Sequence, residues 1–151
     1  MPLYKQVVTV ILHFDFNLFL FQLRDFKPFI VHPGHWGAFG GEIDSGETPF
    51  QAAKRELNEE IGHVPQSIHF FKNVESEEYK IYTHLFYAEI KVPFDQLELM
   101  EGADMGTFSR EDILKGNLYS QNFKSLYPVA PPLLRFYDDF FRQVLPKDKI
   151  T

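Results

Sequence analysis

The chain has 151 residues, no cysteine and a formal net charge of −6. That length suits one domain with one core, and the absence of cysteine excludes disulfides, thiolate catalysis and a cysteine-based zinc site. The acidic balance argues against non-specific binding to nucleic acid or to an anionic membrane, both of which need basic patches. The 17 phenylalanines are more than an ordinary composition holds, which predicts an aromatic-rich core and leaves a homodimer contact open. No run of about 18 clean apolar residues exists. The N-terminus lacks a basic start and a small-residue cleavage site, and His13, Asp15 and Asn17 interrupt its apolar stretch. The expectation is a cytoplasmic protein.

Residues 4–13 are β-branched and apolar, as in a strand buried on both faces. Asp15 to Asn17 reads as a turn and Leu18 to Arg24 as a second strand, together a hairpin. Arg24 ends that strand, either as a surface charge or as a cation at the mouth of a site. Residues 25–36 form a loop with Pro28, Pro33 and Gly34. His32 and His35 stand three apart in it, but no third soft ligand lies nearby, so they read as hydrogen-bonding loop residues rather than metal ligands.

Residues 40–63 organise the rest. The first half reads as a loop, where Gly40, Gly41 and Gly46 let the backbone turn sharply and approach a ligand closely. The second half reads as a helix. Thr48 is its N-cap, Pro49 its first residue, Gln51 the partner in a capping box and Gly62 its stop. Glu56, Glu59 and Glu60 fall at i, i+3 and i+4 on one face. Three like charges there repel, unless a hard divalent cation such as Mg2+ or Mn2+ sits among them with oxygen ligands. Arg55 keeps its charge and can pair with Glu47, pinning loop to helix.

After this segment, Ser67 to Val74 and Tyr79 to Val92 read as a second hairpin around an acidic turn, Glu75 to Glu78. Pro93 to Met100 is a connection. Ser109 is a candidate N-cap for a short helix, Arg110 to Lys115, ended by Gly116. Residues 117–131 read as irregular. Pro131-Pro132 opens a final helix to about Val144, with Leu133, Leu134, Phe136, Tyr137, Phe140, Phe141 and Val144 as an apolar stripe. Pro146 to Thr151 reads as a frayed tail. Periodicity gives a single α+β domain and no more.

Residues 41–63 resemble the Nudix box: a Gly, five residues, a Glu, seven residues, then Arg-Glu-aliphatic-any-Glu-Glu-any-Gly-aliphatic. Gly41, Glu47, Arg55, Glu56, Leu57, Glu59, Glu60 and Gly62 fall in register, and His63 stands where the family has an aliphatic residue. A solvated acidic helix after a Gly-rich turn would explain the carboxylates but not this spacing. The resemblance implies an α/β/α sandwich over residues 1–151, a mixed sheet between the box helix and the C-terminal helix.

It also implies a MutT-like pyrophosphohydrolase that cleaves a nucleoside diphosphate linked to another group, with Mg2+ or Mn2+ as cofactor. The implied metal ligands are Glu56, Glu59 and Glu60, with the Gly40 carbonyl and with Glu101 from a late Glu-Gly pair. Asp104 is the fallback for Glu101. Glu59, Glu101 and the Glu75 to Glu78 turn are contenders for the base that takes the proton from water. Arg55 and Glu47 support the site. On the substrate side the implied residues are Arg24, Gly41, Phe39 (where many members have Pro), Tyr79 and Asn122, the last beside Phe123 and Tyr127. Nucleoside triphosphates, nucleotide sugars and dinucleoside polyphosphates all stay open as substrates. A catalytically silent nucleotide-binding domain is the rival, against which the intact acidic set argues. A prenyl diphosphate isomerase of the same fold would want a cysteine.

Overall fold

The structure, a computed structural model, describes residues 3–145, so the expected fraying of Pro146 to Thr151 lies outside the described residues. The chain divides into two compact units, residues 3–12 with 39–100 and residues 13–38 with 101–145.

The first unit carries most of strand β1 (Lys5–Phe14), β4 (Phe39–Glu42), helix α1 (Pro49–Ile61), β5 (Ile68–Ser76) and β6 (Ile81–Glu89). β4 pairs antiparallel with β1, setting Val8 opposite Gly41 and Thr9 opposite Gly40. β1 lies beside β6, and β6 pairs antiparallel with β5 in a hairpin with a bulge between Phe70 and Lys72. Val8, Val10, Ile11 and Leu12 of β1 are buried, as are Leu85, Phe86 and Ala88 of β6. α1 packs against β4 and buries Ala52, Ala53, Leu57 and Ile61, all at most 1% exposed. Burying the Leu57 and Ile61 side chains contributes about 1.5–3 kcal/mol each.

The second unit holds β2 (Leu18–Leu23), β3 (Trp36–Gly37), β7 (Asp104–Ser109), α2 (Arg110–Lys115), β8 (Asn117–Ser120), β9 (Ser125–Pro128) and α3 (Pro131–Gln143). β2 pairs antiparallel with β7 over its whole length and with β3 at its C-terminal end. The aromatic core foreseen from composition is here. Phe19 packs edge-on against Tyr137, Phe140 and Phe141, and Phe21 stacks on Tyr137 at 4.8 Å. Trp36 is fully buried, donates its indole N–H to the Leu118 carbonyl at 2.9 Å and meets Phe108 edge-on.

Four expectations need correction. Residues 39–42 are not loop but strand: β1 supplies a pairing edge, and Gly40 is bent to φ +145° within it. The strand of the second hairpin runs on to Ser76, because Glu75 pairs with Tyr82 across the ladder. Tyr79 therefore sits in the turn, which covers residues 77–80, not at a strand start. Residues 117–128, read as irregular, form the β8–β9 hairpin, in which Leu118 faces Tyr127 and Tyr119 faces Leu126. Among the described residues no helix is long and apolar enough to cross a membrane.

Candidate active site

The box helix is built by its ends. The Thr48 hydroxyl accepts the Gln51 N–H at 3.1 Å, and the Gln51 side chain accepts the Thr48 N–H at 2.9 Å. This reciprocal pair contributes about 1 kcal/mol and fixes where the helix starts. At the other end Gly62 is left-handed, and its N–H caps the Asn58 carbonyl. The chain then returns over this end: Glu98 and Met100 donate their N–H groups to the carbonyls of Ile61 and Glu60 at 3.2 and 2.9 Å. Four carbonyls at a helix C-terminus have no intrahelical partner, and two are satisfied here by a distant segment.

Arg55 gathers the loop and the helix face. Its Nε and Nη2 donate to the two oxygens of Glu47 at 2.8 and 2.9 Å, a bidentate pair. Nη2 also reaches the Glu42 carbonyl at 3.0 Å. Nη1 donates to Glu56 at 3.0 Å and to Glu59 at 3.4 Å, and Asp44 lies 3.4 Å from Nε. Hydrogen bonding from Arg55, then from the Asp44 N–H, lowers the Glu47 carboxyl to a pKa of about 2. The same bonds, from Glu47 first and Glu56 next, raise the already high Arg55 pKa. One guanidinium thus offsets part of the repulsion that the carboxylate spacing creates.

Glu60 is 2% exposed, and its two oxygens accept the Gly40 N–H at 3.0 and 3.3 Å. A buried carboxylate is costly without such donors. Glu56 is half-buried and lies over Gly41. A Cβ on Gly41 would overlap the Glu56 Oε1 and stand 2.7 Å from its carboxyl carbon. The strand β4 is therefore glycine where the helix carboxylates press on it, and a side chain would fill that cradle. Glu59 is the most exposed of the three, with 49% of its side chain open to solvent.

The donor set of Glu56, Glu59, Glu60 and the Gly40 carbonyl is all oxygen, which fits a hard divalent cation of the Mg2+ or Mn2+ type. Among the described residues no three His, Cys, Asp or Glu side chains already stand in a ligating array. Instead Arg55 and the Gly40 N–H engage the carboxylates.

The other foreseen residues are placed as follows. Phe39 is fully buried, with its side chain in the core. Tyr79 is 37% exposed and donates its N–H to the Ser76 hydroxyl. Of the acidic turn, Glu77 accepts the Tyr4 hydroxyl at 2.9 Å, and this bond raises the Tyr4 pKa. Arg24, in the second unit, donates Nε to the Val31 carbonyl at 2.7 Å and has no carboxylate partner among the described residues. Glu101, the residue after Met100, is exposed in a bend. Asn122 is exposed in the β8–β9 turn. The His32 and His35 rings stand 5.5 Å apart, and His35 Nδ1 is spent on the Pro33 carbonyl at 2.9 Å.

Sequence reasoning missed Asp44 and the Glu42 carbonyl as partners of Arg55, and it misread Asp104. Asp104 is 5% exposed and its carboxylate is taken by Ser120, Asn122 and Met105. No local pattern marks these, because each depends on where distant segments meet.

A sequence model of the NUDIX domain family matches residues 3–126, and the chain belongs to that family. It is 46% identical over 44 residues to the oxidized purine nucleoside triphosphate hydrolase of Danio rerio, a stretch that is 29% of this chain and 28% of that protein. It is 53% identical over 38 residues to the 8-oxo-dGTP diphosphatase of Escherichia coli K12, covering 25% of this chain and 30% of that protein. The likeness thus spans under a third of either relative. A MutT protein from Methanosarcina mazei Go1 shares the fold, an α+β arrangement with a mixed sheet, at TM-score 0.69, covering 93% of this chain and 94% of that one at 22% identity.

Proposed function

We propose that the protein is a metal-dependent pyrophosphohydrolase that cleaves the diphosphate linkage of a nucleoside diphosphate bonded to another group. The observation that carries this reading is the carboxylate face of α1. Glu56, Glu59 and Glu60 lie beside the glycine strand β4, and Arg55 binds the first two to Glu47. An acidic face held together this way is costly unless cations meet it in use.

Glu56, Glu59, Glu60 and the Gly40 carbonyl would hold Mg2+ or Mn2+. A bound ion of this kind neutralises diphosphate charge and lowers the pKa of water. The chain's own contribution is positional. Gly40 N–H orients Glu60, Arg55 orients Glu56 and Glu59, and Glu47 fixes Arg55. A carboxylate must also take the proton from the attacking water, and Glu59 is the most open of the three on the helix. Glu101 is a further contender by resemblance. The relatives named above act on nucleoside triphosphates with oxidised purines, so 8-oxo-dGTP heads the substrates to test. Ordinary triphosphates, nucleotide sugars and dinucleoside polyphosphates follow.

The test is the purified protein against that panel with Mg2+, with Mn2+ and with chelator. Metal-dependent hydrolysis of one class supports the reading and names the substrate. Nucleotide binding without turnover of any compound would move the assignment to a silent binding domain.

A further inference from the structure

Strand β5 stands at the end of the strand order and pairs with β6 alone among the described residues. None of its nine residues is buried, and Phe70 is 56% exposed. An open edge of this length offers unpaired N–H and C=O groups to another strand, and folded chains ordinarily blunt or cover it. β5 holds no proline. Its bulge falls between Phe70 and Lys72, which leaves Lys72 to Ser76 as an unbroken ladder.

This edge is charged in opposite senses at its two ends. Phe70 meets Phe86 edge-on at 5.7 Å, Phe86 lies 6.4 Å from Phe50, and the Lys54 ammonium stands 4.9 Å over the Phe50 ring. Lys54 therefore belongs to the Phe70 end, as does Lys72, whose ammonium lies over the Phe71 ring. The other end carries Glu75, then Glu77 and Glu78 in the turn. Lys80 in the same turn, over the Tyr4 ring, offsets only one of these three. An antiparallel neighbour reverses the ends. A second β5 thus brings its acidic turn to Lys54 and Lys72, and its own lysines to the acidic turn of the first.

We infer that two copies of the chain pair edge to edge through β5, antiparallel about a twofold axis at Val74. Val74 is the midpoint of the unbroken ladder. This register sets Lys72 opposite Ser76 of the second copy and Asn73 opposite Glu75 of the second copy, each twice by symmetry. Asn73 and Glu75 share a face, since they pair with His84 and Tyr82 of β6, and both are exposed. Each Asn73 amide then donates to a carboxylate across the seam. Phe70, on that same face, comes against the acidic turn of the second copy. Centring the pair one residue later would oppose Glu75 to itself, and like charges directly opposite are destabilising. The inference stands apart from the hydrolase reading, because it uses none of the carboxylates of α1.

Sedimentation equilibrium of the full chain from about 1 to 100 µM tests it, the range in which a small interface associates. The mass is expected to rise toward twice 17.7 kDa. Phe70→Glu adds a carboxylate against the acidic turn of the second copy, at an exposed position, and should weaken the dimer about tenfold or more. Lys72→Glu should weaken it likewise, and adding Glu78→Lys to that variant should recover part of the loss. The chain has no cysteine, so a single introduced one reports only its own neighbours. Val74→Cys should cross-link to its own copy under mild oxidation, because directly opposite residues of an antiparallel pair stand within disulfide reach. His69→Cys, far from the axis, should not. Lys72→Cys and Ser76→Cys should cross-link more when mixed than either does alone. If Val74→Cys does not fold, that mixed pair carries the test.

A monomer at every concentration overturns the inference. So does a dimer that keeps its mass in Phe70→Glu and cross-links at His69 as readily as at Val74, since it uses another face.

Discussion

Gly41→Ala separates a structural from a functional reason for the glycine strand. Gly41 carries no positive φ, so alanine meets no backbone strain there. What it meets is the Glu56 carboxylate, whose carbon would stand 2.7 Å from the new Cβ. Ordinary contact begins near 3.4 Å, so the carboxyl carbon must retreat by about 0.7 Å and the nearer Oε1 by more. It is the far end of a flexible side chain, so the retreat costs the fold little, and Tm should fall by no more than a few degrees. The site is less forgiving, because a misplacement of about 1 Å can cost 10²-fold in rate. Expected for Gly41→Ala is a loss of about 10-fold to 10²-fold in kcat/KM with weakened Mg2+ affinity, measured by metal titration of turnover and by calorimetry. Gly40→Ala is the contrast. Its Cβ would collide with the Val8 carbonyl at φ +145°, where neither backbone can yield, and destabilisation of about 3 kcal/mol is expected. A folded Gly41→Ala with wild-type turnover and metal affinity would refute the cradle argument.

Glu60→Gln keeps shape and removes charge. It should abolish most metal-dependent turnover, and near-normal activity would sink the ligand assignment. Tyr137→Phe removes a fully buried hydroxyl that has no hydrogen-bond partner among the described residues, and should stabilise by about 1 kcal/mol in urea unfolding. Burial raises the Tyr137 pKa, so its share of stability is complete below the usual value near 10 and is lost as pH climbs beyond it. The phenylalanine variant should therefore resist alkaline unfolding better than the parent. Glu47 behaves in the opposite sense. Its pKa is depressed to about 2, so the contribution of its bond to Arg55 is present above the ordinary carboxyl pKa near 4.3 and drains away as pH falls toward 2. Glu47→Gln should flatten that acid limb, read as midpoint against pH between about 5 and 2.

The helices were legible because their signals are local. Thr48, Gln51 and Gly62 fix α1, and Ser109 and Gly116 fix α2, with the bonds those residue types predict. Of the candidate site, the carboxylate face of α1 was legible for the same reason, since Glu56, Glu59 and Glu60 sit on one helix at fixed spacing. Strand β4 was not, because Gly40 and Gly41 suggest a loop until the pairing edge of β1 is known. The β8–β9 hairpin did leave a signal: Asn-Leu-Tyr-Ser and Ser-Leu-Tyr-Pro are near copies that alternate around a turn. Each is only four residues long, and the clamp from Asp104 that fixes their turn comes from another strand. The carbonyl partner of Arg55 at Glu42 and the cover of the α1 C-terminus by Glu98 and Met100 likewise come from backbone groups brought close only by folding.

On the proposed reading, Arg55 and a divalent cation would draw on the same oxygens, and this sets what substitution there will do. Arg55 Nη1 takes Glu56 and Glu59, while its Nε and Nη2 take Glu47. The Glu47 bonds are the shorter, so the guanidinium can keep them while Nη1 lets go of the helix carboxylates. Lysine cannot divide itself this way, since a single ammonium has no planar fork. Arg55→Lys should lose the bidentate bond to Glu47 and let the loop after β4 loosen, with about 1–2 kcal/mol lost from stability. Its activity should fall further than its stability. If Arg55 served the fold alone, raising Mg2+ would not restore turnover in Arg55→Lys. If it holds Glu56 and Glu59 for a cation, excess Mg2+ should restore part of the rate, because the cation then does for the carboxylates what the guanidinium did.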